Sequence, residues 1–316
     1  MQFRTSISIP KSNYPIDYNS KVMSLGSCFA VNIGSKFDYY KFQNTTNPFG
    51  IIFNPVSLEK IIQRGIQKDY FTEKDIFFHN DLWHCFEVHS ELSNPNKEHF
   101  LQRLNQLVDA TQQHICTATH CIITYGTSWV YRNIESNTIV ANCHKVPQKQ
   151  FTKELLSVET LEKSIQNTIA LIQKVNPKAH FIFTVSPVRH IKDGFVENQI
   201  SKAHLITAIH SIDKAQLLTP NYFPSYEIMM DELRDYRFYA EDMLHPNSTA
   251  IAYIWQRFKE TTINETAIAT MDKVDSIQKS LAHKPFNPHS DSHQKFEANR
   301  SKKIADLISE YPFMRF

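Results

Sequence analysis

Short apolar runs alternate with longer stretches of helical periodicity along the 316-residue chain. Three runs rich in Val, Ile and Phe, at positions 21–25, 120–125 and 180–185, are too short for helices and are typical of buried parallel strands. Elsewhere apolar residues recur every three or four positions, which predicts amphipathic helices. The recurring positions are Phe29, Ile33 and Phe37; Phe100, Leu104 and Leu107; Leu161, Ile165, Ile169 and Ile172; and Leu205, Ala208, Ile212 and Ala215.

Strands that alternate with helices predict a doubly wound α/β domain with a mainly parallel sheet. Ligands of such sheets bind at the carboxyl ends of the strands. We therefore expect the chemistry in the loops that follow Leu25, Tyr125 and Val185.

Two segments interrupt this alternation and predict β-hairpins. The first spans positions 75–90 and turns at 80–81, and the second spans 129–146 and turns near 136–137, in each case at polar turn-forming residues. We expect both hairpins to be insertions that form walls of a pocket.

The C-terminal part of the chain carries no recognisable chemical motif. Segments 263–282 and 296–308 have helical character, and a polar, proline-containing linker at 285–293 separates them. We therefore divide the chain into a main domain, 1–262, and a C-terminal helical extension, 263–316.

Composition narrows the classes of function. The formal net charge is +2, from 34 Lys and Arg against 32 Asp and Glu, which argues against nucleic acid or an anionic membrane as partner. The N-terminus has no apolar signal segment, and no run of 18 apolar residues follows, so we expect a cytoplasmic protein. The five cysteines include no Cys-x-x-Cys pair, so we expect reduced thiols and neither a zinc ribbon nor a disulfide framework; the hydrolase hypothesis given below also needs no metal or organic cofactor.

The first candidate for chemistry is the string Gly-Ser-Cys-Phe-Ala at positions 26–30, where a buried strand passes directly into a helix. Free N–H groups and the positive dipole end of a helix stabilise an anion there and lower the pKa of a thiol. The alternative is structural: Ser27 is a good N-cap, and Cys28 can serve as a small buried hydrophobe.

The second candidate is the pair Asp242 and His245, followed by a helix that begins at Ser248. A carboxylate three residues before an imidazole can accept from one ring nitrogen and fix the tautomer of the other, which makes the histidine a general base. The alternative is a simple ion pair or helix cap, because Asp-x-x-His alone is a weak signal in a chain with 15 histidines.

Together these motifs resemble the GSCFA family, which is placed in the SGNH (GDSL-like) hydrolase superfamily. The string at 26–30 is the one that gives the family its name, and the resemblance covers roughly residues 20 to 260. It continues through Asn-Pro-Phe-Gly at 47–50, Asn-Pro-Val-Ser at 54–57, Gly-Thr-Ser-Trp-Val-Tyr-Arg at 126–132, Ser-Pro-Val-Arg-His at 186–190, Pro-Ser-Tyr-Glu at 224–227 and Asp-Glu-Leu-Arg-Asp-Tyr at 231–236.

The resemblance implies a three-layer α/β/α sandwich of SGNH or flavodoxin type and ester hydrolysis or acyl transfer. Asp242 and His245 match the terminal Asp-x-x-His of the superfamily. The Gly-Asp-Ser nucleophile string falls on Gly-Ser-Cys here, which favours Cys28 as nucleophile, whereas a shift of one residue restores Ser27. Gly50 corresponds to one oxyanion donor, and Ser128 or a backbone N–H stands where the superfamily has an Asn.

The hypothesis from sequence is therefore an ester or thioester hydrolase, or an acyltransferase, that acts on a small-molecule or glycan acyl ester. Trp129, Arg132 and Arg189 are candidate substrate-binding residues, since they follow strand ends; strand packing and surface ion pairs are the alternatives. The second hypothesis is a ligand-binding module of the same fold that has weak or no catalytic activity.

Overall fold

A computed structural model describes residues 5–212 and 221–316. Ala215, part of one expected helical stretch, lies outside the described residues. The strands are β1 Lys21–Gly26, β2 Gln43–Thr46, β3 Phe77–His79, β4 Leu82–His84, β5 His120–Tyr125, β6 Trp129–Asn133, β7 Thr138–Val140, β8 Phe151–Leu155, β9 His180–Val185 and β10 Asn221–Tyr222. The α-helices are α1 Cys28–Tyr39, α2 Pro55–Gln67, α3 Lys97–Thr117, α4 Val158–Val175, α5 Phe195–Ser211, α6 Ser225–Glu227, α7 Ser248–Thr262, α8 Glu265–Ala282 and α9 Asp291–Glu310.

Five parallel strands form the central sheet in the order β10-β9-β5-β1-β2. In chain order this is the 2-1-3-4-5 arrangement of flavodoxin-like doubly wound folds. The predicted fold class is therefore confirmed. The strand order reverses between β1 and β5, and ligands of this architecture bind at the carboxyl ends of the strands beside such a reversal.

Alternate residues of the buried strands face opposite layers of helices, which explains why the strands are apolar throughout. One face packs against α2, α3, α4 and α5, and the other packs against α1, α7 and α8. The first face carries Met23, Cys121 and Phe181, and the second carries Val22, Ile122 and Ile182. This arrangement is a three-layer sandwich with one apolar cluster on each side of the sheet.

Both predicted hairpins are present. β3 and β4 pair antiparallel around Asn80 and Asp81, whose φ values of 46° and 60° are those of a two-residue type I′ turn. β6 and β7 pair antiparallel, and Asn137 in their turn also has a positive φ of 52°. The sequence prediction missed β8, which pairs with the other edge of β6 and completes a three-stranded sheet.

The C-terminal helices pack against the main body of the fold. Met271 and Val274 of α8 are buried in the cluster that also contains Phe37 of α1. The hydroxyl of Tyr39 donates to Asp275 at 2.9 Å, and Gln278 donates to the carbonyl oxygen of Tyr39 at 2.9 Å. Within residues 5–212 and 221–316, no helix is both long and apolar enough to cross a membrane.

Candidate active site

The turn from β1 into α1 is built around Gly26. Its φ of +122° is accessible mainly to glycine, and a Cβ at this position would lie 2.0 Å from the carbonyl oxygen of Thr124. The neighbouring N–H of Ser27 donates to the same oxygen at 2.9 Å, and the N–H of Gly26 donates to Asn47 at 2.8 Å. The start of α1 is therefore fixed at the carboxyl ends of β1 and β5, beside the reversal in strand order.

Ser27 and Cys28 have different environments at this helix start. The Ser27 side chain caps α1 by accepting from the N–H of Phe29 at 3.3 Å, and the residue is only 1% exposed. Cys28 is the first residue of α1, half-buried and free of a disulfide. Burial raises the pKa of its thiol, while the positive charge of Lys202 and the N–H groups of Cys28 and Phe29 act in the opposite direction.

Asp242 and His245 form the expected pair. Asp242 Oδ1 accepts from the N–H groups of Leu244 at 2.9 Å and His245 at 3.0 Å, and its Oδ2 lies 2.6 Å from Nδ1 of His245. These hydrogen bonds, that from the backbone of His245 foremost, lower the pKa of Asp242 to about 2. The ionised carboxylate can only accept, so Nδ1 of a neutral His245 carries the proton and Nε2 is left as a base.

Arg189 holds the loop that carries this pair. Its guanidinium donates to the carbonyl oxygen of Met243, and its backbone N–H donates to Leu244 at 3.3 Å. The guanidinium carbon also lies 4.3 Å from the centroid of the Tyr239 ring. Met243 has a φ of 58°, a conformation that a non-glycine residue keeps only when its surroundings hold it. Arg189 thus positions the Asp242–His245 turn; the predicted clamp on a substrate anion is not needed to explain its contacts.

A cavity of about 360 Å³ opens beside His245. It lies between the loops that follow β5 and β9, and the β6–β7 hairpin forms one of its walls. Its lining combines aromatic and aliphatic side chains with polar and charged ones; the first group includes Phe53, Trp129, Tyr131 and Val188, and the second includes Arg189, His190, Lys192, Asp193 and His245. A cavity that joins apolar walls to a set of polar groups is the usual form of a small-molecule site.

Cys28 and His245 are not in hydrogen-bond contact. Among the described residues no hydrogen bond joins the Cys28 sulfur or the Ser27 hydroxyl to the His245 ring, and Cys28 does not line the cavity. Lys202 and His190 interact electrostatically with the two halves of the candidate site. The positive charge of Lys202 acts to lower the pKa of Cys28 and of His190, and a protonated His245 acts to lower that of His190.

Lys202 and His190 were not among the predicted site residues. Lys202 is 1% exposed and donates to the carbonyl oxygens of Gly126 at 2.7 Å and Ser186 at 2.8 Å, directly beyond the ends of β5 and β9. Nε2 of His190 is buried without a partner in the described part of the chain. Burial foremost, then Lys202 and His245, lowers the pKa of His190 to about 3, so this imidazole is neutral at pH 7.

The sequence contained one signal for each of these two residues. Lys202 lies three positions before Leu205 and seven before Ile209, on the buried face of α5, where a charged side chain is unusual. The signal for His190 is its position at the end of the Ser-Pro-Val-Arg-His string, in the loop after β9, because ligands of such sheets bind at the carboxyl ends of the strands.

The two expected oxyanion donors are engaged elsewhere in the fold, which corrects the prediction from sequence. The N–H of Gly50 donates to the carbonyl oxygen of Asn47 at 2.8 Å. Ser128 is fully buried; its N–H donates to the Ser201 hydroxyl at 2.8 Å, and its hydroxyl donates to the Ser201 carbonyl oxygen at 3.1 Å. Neither residue lines the cavity, so neither offers a free hydrogen-bond donor to a ligand bound there.

Of the other predicted substrate residues, Trp129 lines the cavity and Arg132 does not. Trp129 donates through Nε1 to the carbonyl oxygen of Glu197 at 3.2 Å, and the Lys153 ammonium lies 4.7 Å from its ring centroid. Arg132 forms a two-point ion pair with Glu154 across the β6–β8 ladder, at 2.8 and 3.1 Å. This pairing is the ion-pair alternative that the sequence left open for Arg132, whose guanidinium is occupied by a carboxylate. Within residues 5–212 and 221–316, no group of three or more His, Cys, Asp or Glu is placed to hold a metal ion.

Two family models match the chain. The GSCFA family model matches residues 21–258, which include both the β1–α1 turn and the Asp242–His245 pair. The chain belongs to the GSCFA family. A second model, described as the GSCFA domain protein, C-terminal domain, matches residues 274–316 of this GSCFA protein. No curated protein matches the chain.

Proposed function

We propose that this GSCFA protein is an acyl hydrolase or acyltransferase of the SGNH type that forms a covalent acyl-enzyme on Cys28. The observation that carries the proposal is the hydrogen bond of 2.6 Å between Asp242 and Nδ1 of His245, beside a small-molecule-sized cavity. Because Asp242 accepts from Nδ1, Nε2 of a neutral His245 is the nitrogen that can act as base at the wall of that cavity.

The reaction needs one nucleophile and one base. Nε2 of His245 takes the proton from the Cys28 thiol, and the sulfur attacks the acyl carbonyl carbon to form a tetrahedral intermediate. The intermediate expels the alcohol or thiol of the substrate, which receives the proton from His245. Water, or an acceptor hydroxyl in the transferase variant, then attacks the acyl carbon while Nε2 of His245 takes its proton; the carbon–sulfur bond breaks, the acid or new ester leaves, and His245 returns the proton to the sulfur.

The position of Cys28 supports its assignment as nucleophile. The N–H of Cys28 favours negative charge on the sulfur and is a candidate donor to an oxyanion that forms next to it, whereas the N–H of Phe29 already donates to the Ser27 hydroxyl. Ser27 is less suited because its hydroxyl is buried and caps α1. The reaction requires the cavity loops to bring Nε2 of His245 to the sulfur when substrate binds, since catalytic hydrogen bonds often tighten only in the substrate complex.

Turnover of short-chain p-nitrophenyl esters and thioesters tests the proposal. We expect His245→Ala to lower kcat by at least about 100-fold, the usual contribution of a general base. The Asp242→Asn variant should lose activity while it keeps the geometry, because an amide can hold the wrong tautomer of His245. Arg132→Met is the matched control, since its ion pair lies outside the cavity. Full activity of His245→Ala would refute the mechanism.

A comparison of two neighbouring variants identifies the attacking atom. Cys28→Ala should abolish turnover and prevent capture of an acyl-enzyme on quenching. Ser27→Ala should retain the chemistry but lower the free energy of unfolding by about 1 kcal/mol, because it removes the cap on α1. The reverse pattern would assign the nucleophile to Ser27.

A ligand-binding module is the second candidate function. It is favoured by the absence of a hydrogen bond between Cys28 and His245 among the described residues, and by the engagement of Gly50 and Ser128 within the fold. This alternative predicts saturable binding in the cavity with no turnover. An acyl-enzyme detected by mass spectrometry would exclude it.

A further inference from the structure

Two of the segments that line the cavity differ in chemical character. The β6–β7 hairpin contributes mainly apolar and aromatic side chains, among them Trp129 and Val140. The loop that follows β9 contributes three charged side chains, those of Arg189, Lys192 and Asp193. A ligand that contacts both segments therefore meets an apolar wall and a charged loop.

The charged side chains of this loop differ in their partners. Asp193 pairs with Lys153, and it is the one carboxylate among the described residues that line the cavity. In residues 5–212 and 221–316, Lys192 takes part in no ion pair within 4.0 Å, and neither does Arg189. The Arg189 guanidinium instead donates to the carbonyl oxygen of Met243. Two positive charges at the cavity are therefore left without a carboxylate.

The other carboxylates beside the cavity do not supply the missing partner. Asp242 is paired with His245. Glu197 does not line the cavity, and its carboxylate lies against Gly194, where an added Cβ would be 1.8 Å from Oε2. The lining therefore keeps an excess of positive charge.

The charge of Lys192 acts beyond its own loop. Burial raises the pKa of the Cys143 thiol to about 11, and the Lys192 ammonium acts in the opposite direction. Cys143 lies just beyond β7 and lines the same cavity. An anionic group bound in the cavity would be attracted by both Lys192 and Arg189, and apolar walls screen this attraction less than bulk water does.

We propose that the cavity selects ligands that carry an anionic group, and that Lys192 is the residue that determines this selectivity. The inference rests on the proposed function, for which it names the substrate class: an ester or thioester with an apolar chain and a carboxylate or phosphate-type group. The chain packs against the hairpin, and the anionic group lies at the loop after β9. Arg189 contributes charge, but its guanidinium holds the turn that carries His245, whereas Lys192 is exposed and has no such contact.

A matched pair of ligands isolates the anionic group. Adipoyl p-nitroanilide differs from hexanoyl p-nitroanilide only in a terminal carboxylate that replaces a methyl group, and anilides resist hydrolysis, so equilibrium dialysis can measure both dissociation constants. The selectivity ratio is the Kd of the hexanoyl compound divided by that of the adipoyl compound. We expect Lys192→Met to lower this ratio by about three- to fivefold, the effect of one ion pair at an exposed side chain. Lys192→Glu, which reverses the charge, should lower it by about tenfold or more.

Lys149→Met is the matched control. Lys149 is also an exposed lysine, and it does not line the cavity, so its loss should leave the ratio within about 1.5-fold of that of the unaltered protein. Raising NaCl from about 0.01 M to about 1 M shortens the Debye length from about 30 Å to about 3 Å, so the ratio of the unaltered protein should also fall. An unchanged ratio in both Lys192 variants, an equal decrease in Lys149→Met, or no binding of either anilide would overturn the inference.

An analogue with a terminal phosphonate group separates the two kinds of anion. Tighter binding of the phosphonate than of the adipoyl compound, lost in Lys192→Glu, would assign the site to phosphate-type ligands. Tighter binding of the adipoyl compound, lost in the same variant, would assign it to carboxylates. Both results support an anionic ligand.

Turnover of the p-nitrophenyl esters of adipate and hexanoate separates this inference from the proposed function. Selectivity in binding that depends on Lys192, without turnover of either ester, would support the anionic ligand class for a binding module and refute the hydrolase. Turnover of both esters, with a ratio of kcat/KM values that Lys192→Glu leaves unchanged, would support the hydrolase and overturn this inference.

Discussion

Substitution of Gly26 by alanine should both destabilise the fold and displace the candidate nucleophile. The new Cβ would lie 2.0 Å from the Thr124 carbonyl oxygen, whereas real Cβ contacts do not fall below 3.0 Å, so β1 and β5 must separate locally by about 1 Å. Because the φ of +122° is mainly accessible to glycine, the backbone is strained by about 1–3 kcal/mol. Loss of the hydrogen bond from Ser27 to Thr124 adds about 1 kcal/mol.

The total is a decrease of about 2–4 kcal/mol in the free energy of unfolding, which urea denaturation can measure. Gly65→Ala is the matched control. Its Cβ would lie 2.8 Å from a methyl group of the buried Thr111 side chain, which must shift, but alanine favours the helix there, so we expect a net loss of about 0–2 kcal/mol. Equal stability of Gly26→Ala and Gly65→Ala would refute the argument that the turn requires glycine. Alkylation of Cys28 should also change in Gly26→Ala, and an unchanged rate would show that the sulfur position does not depend on this turn.

Two further predictions concern the Asp-His loop and acid stability. Arg189→Met removes the donor that holds the Met243 carbonyl oxygen and so loosens the turn that carries His245. We expect kcat for ester substrates to fall by about tenfold, with little change in the free energy of unfolding. Arg132→Met is the control and should keep its activity. Burial lowers the pKa of His144 to about 4, below the ordinary value of 6.5, so its contribution to stability is complete above pH 6.5 and is lost as the pH falls toward 4. Urea unfolding across this range should show a slope of up to about 1.4 kcal/mol per pH unit from this residue, and His144→Gln should flatten it; an unchanged slope would contradict the assignment.

The parallel strands could be predicted from sequence because burial on both faces leaves an uninterrupted apolar run. β5 and β9 have the predicted bounds, and β1 extends one residue further. β2 is polar, with the sequence Gln-Asn-Thr-Thr, because it lies at the edge of the sheet and is only partly buried. An apolar-run criterion therefore cannot find it. α2 carries an N-cap, Asn54, and a proline at its start, and these capping signals could have identified it.

The candidate site was predictable where it depends on local spacing. Asp242 and His245 are three residues apart, and one turn of the chain brings them together. Lys202 could not be assigned in the same way, since its two carbonyl partners follow strands that are distant in sequence. Gly50 and Ser128 were predicted as oxyanion donors for a related reason. Their N–H groups donate to acceptors within the protein, and the sequence alone does not identify these acceptors.

The contacts of α8 with α1 have a consequence for any shortened form of the protein. A chain that ended at position 262 would lack Met271 and Val274, and the apolar cluster that also contains Phe37 of α1 would lose part of its cover. The Tyr39 end of α1 would also lose both hydrogen bonds to α8. Because apolar surface would be exposed, such a fragment would be prone to self-association. Loss of activity in the fragment would therefore not show that residues 263–316 contact the substrate.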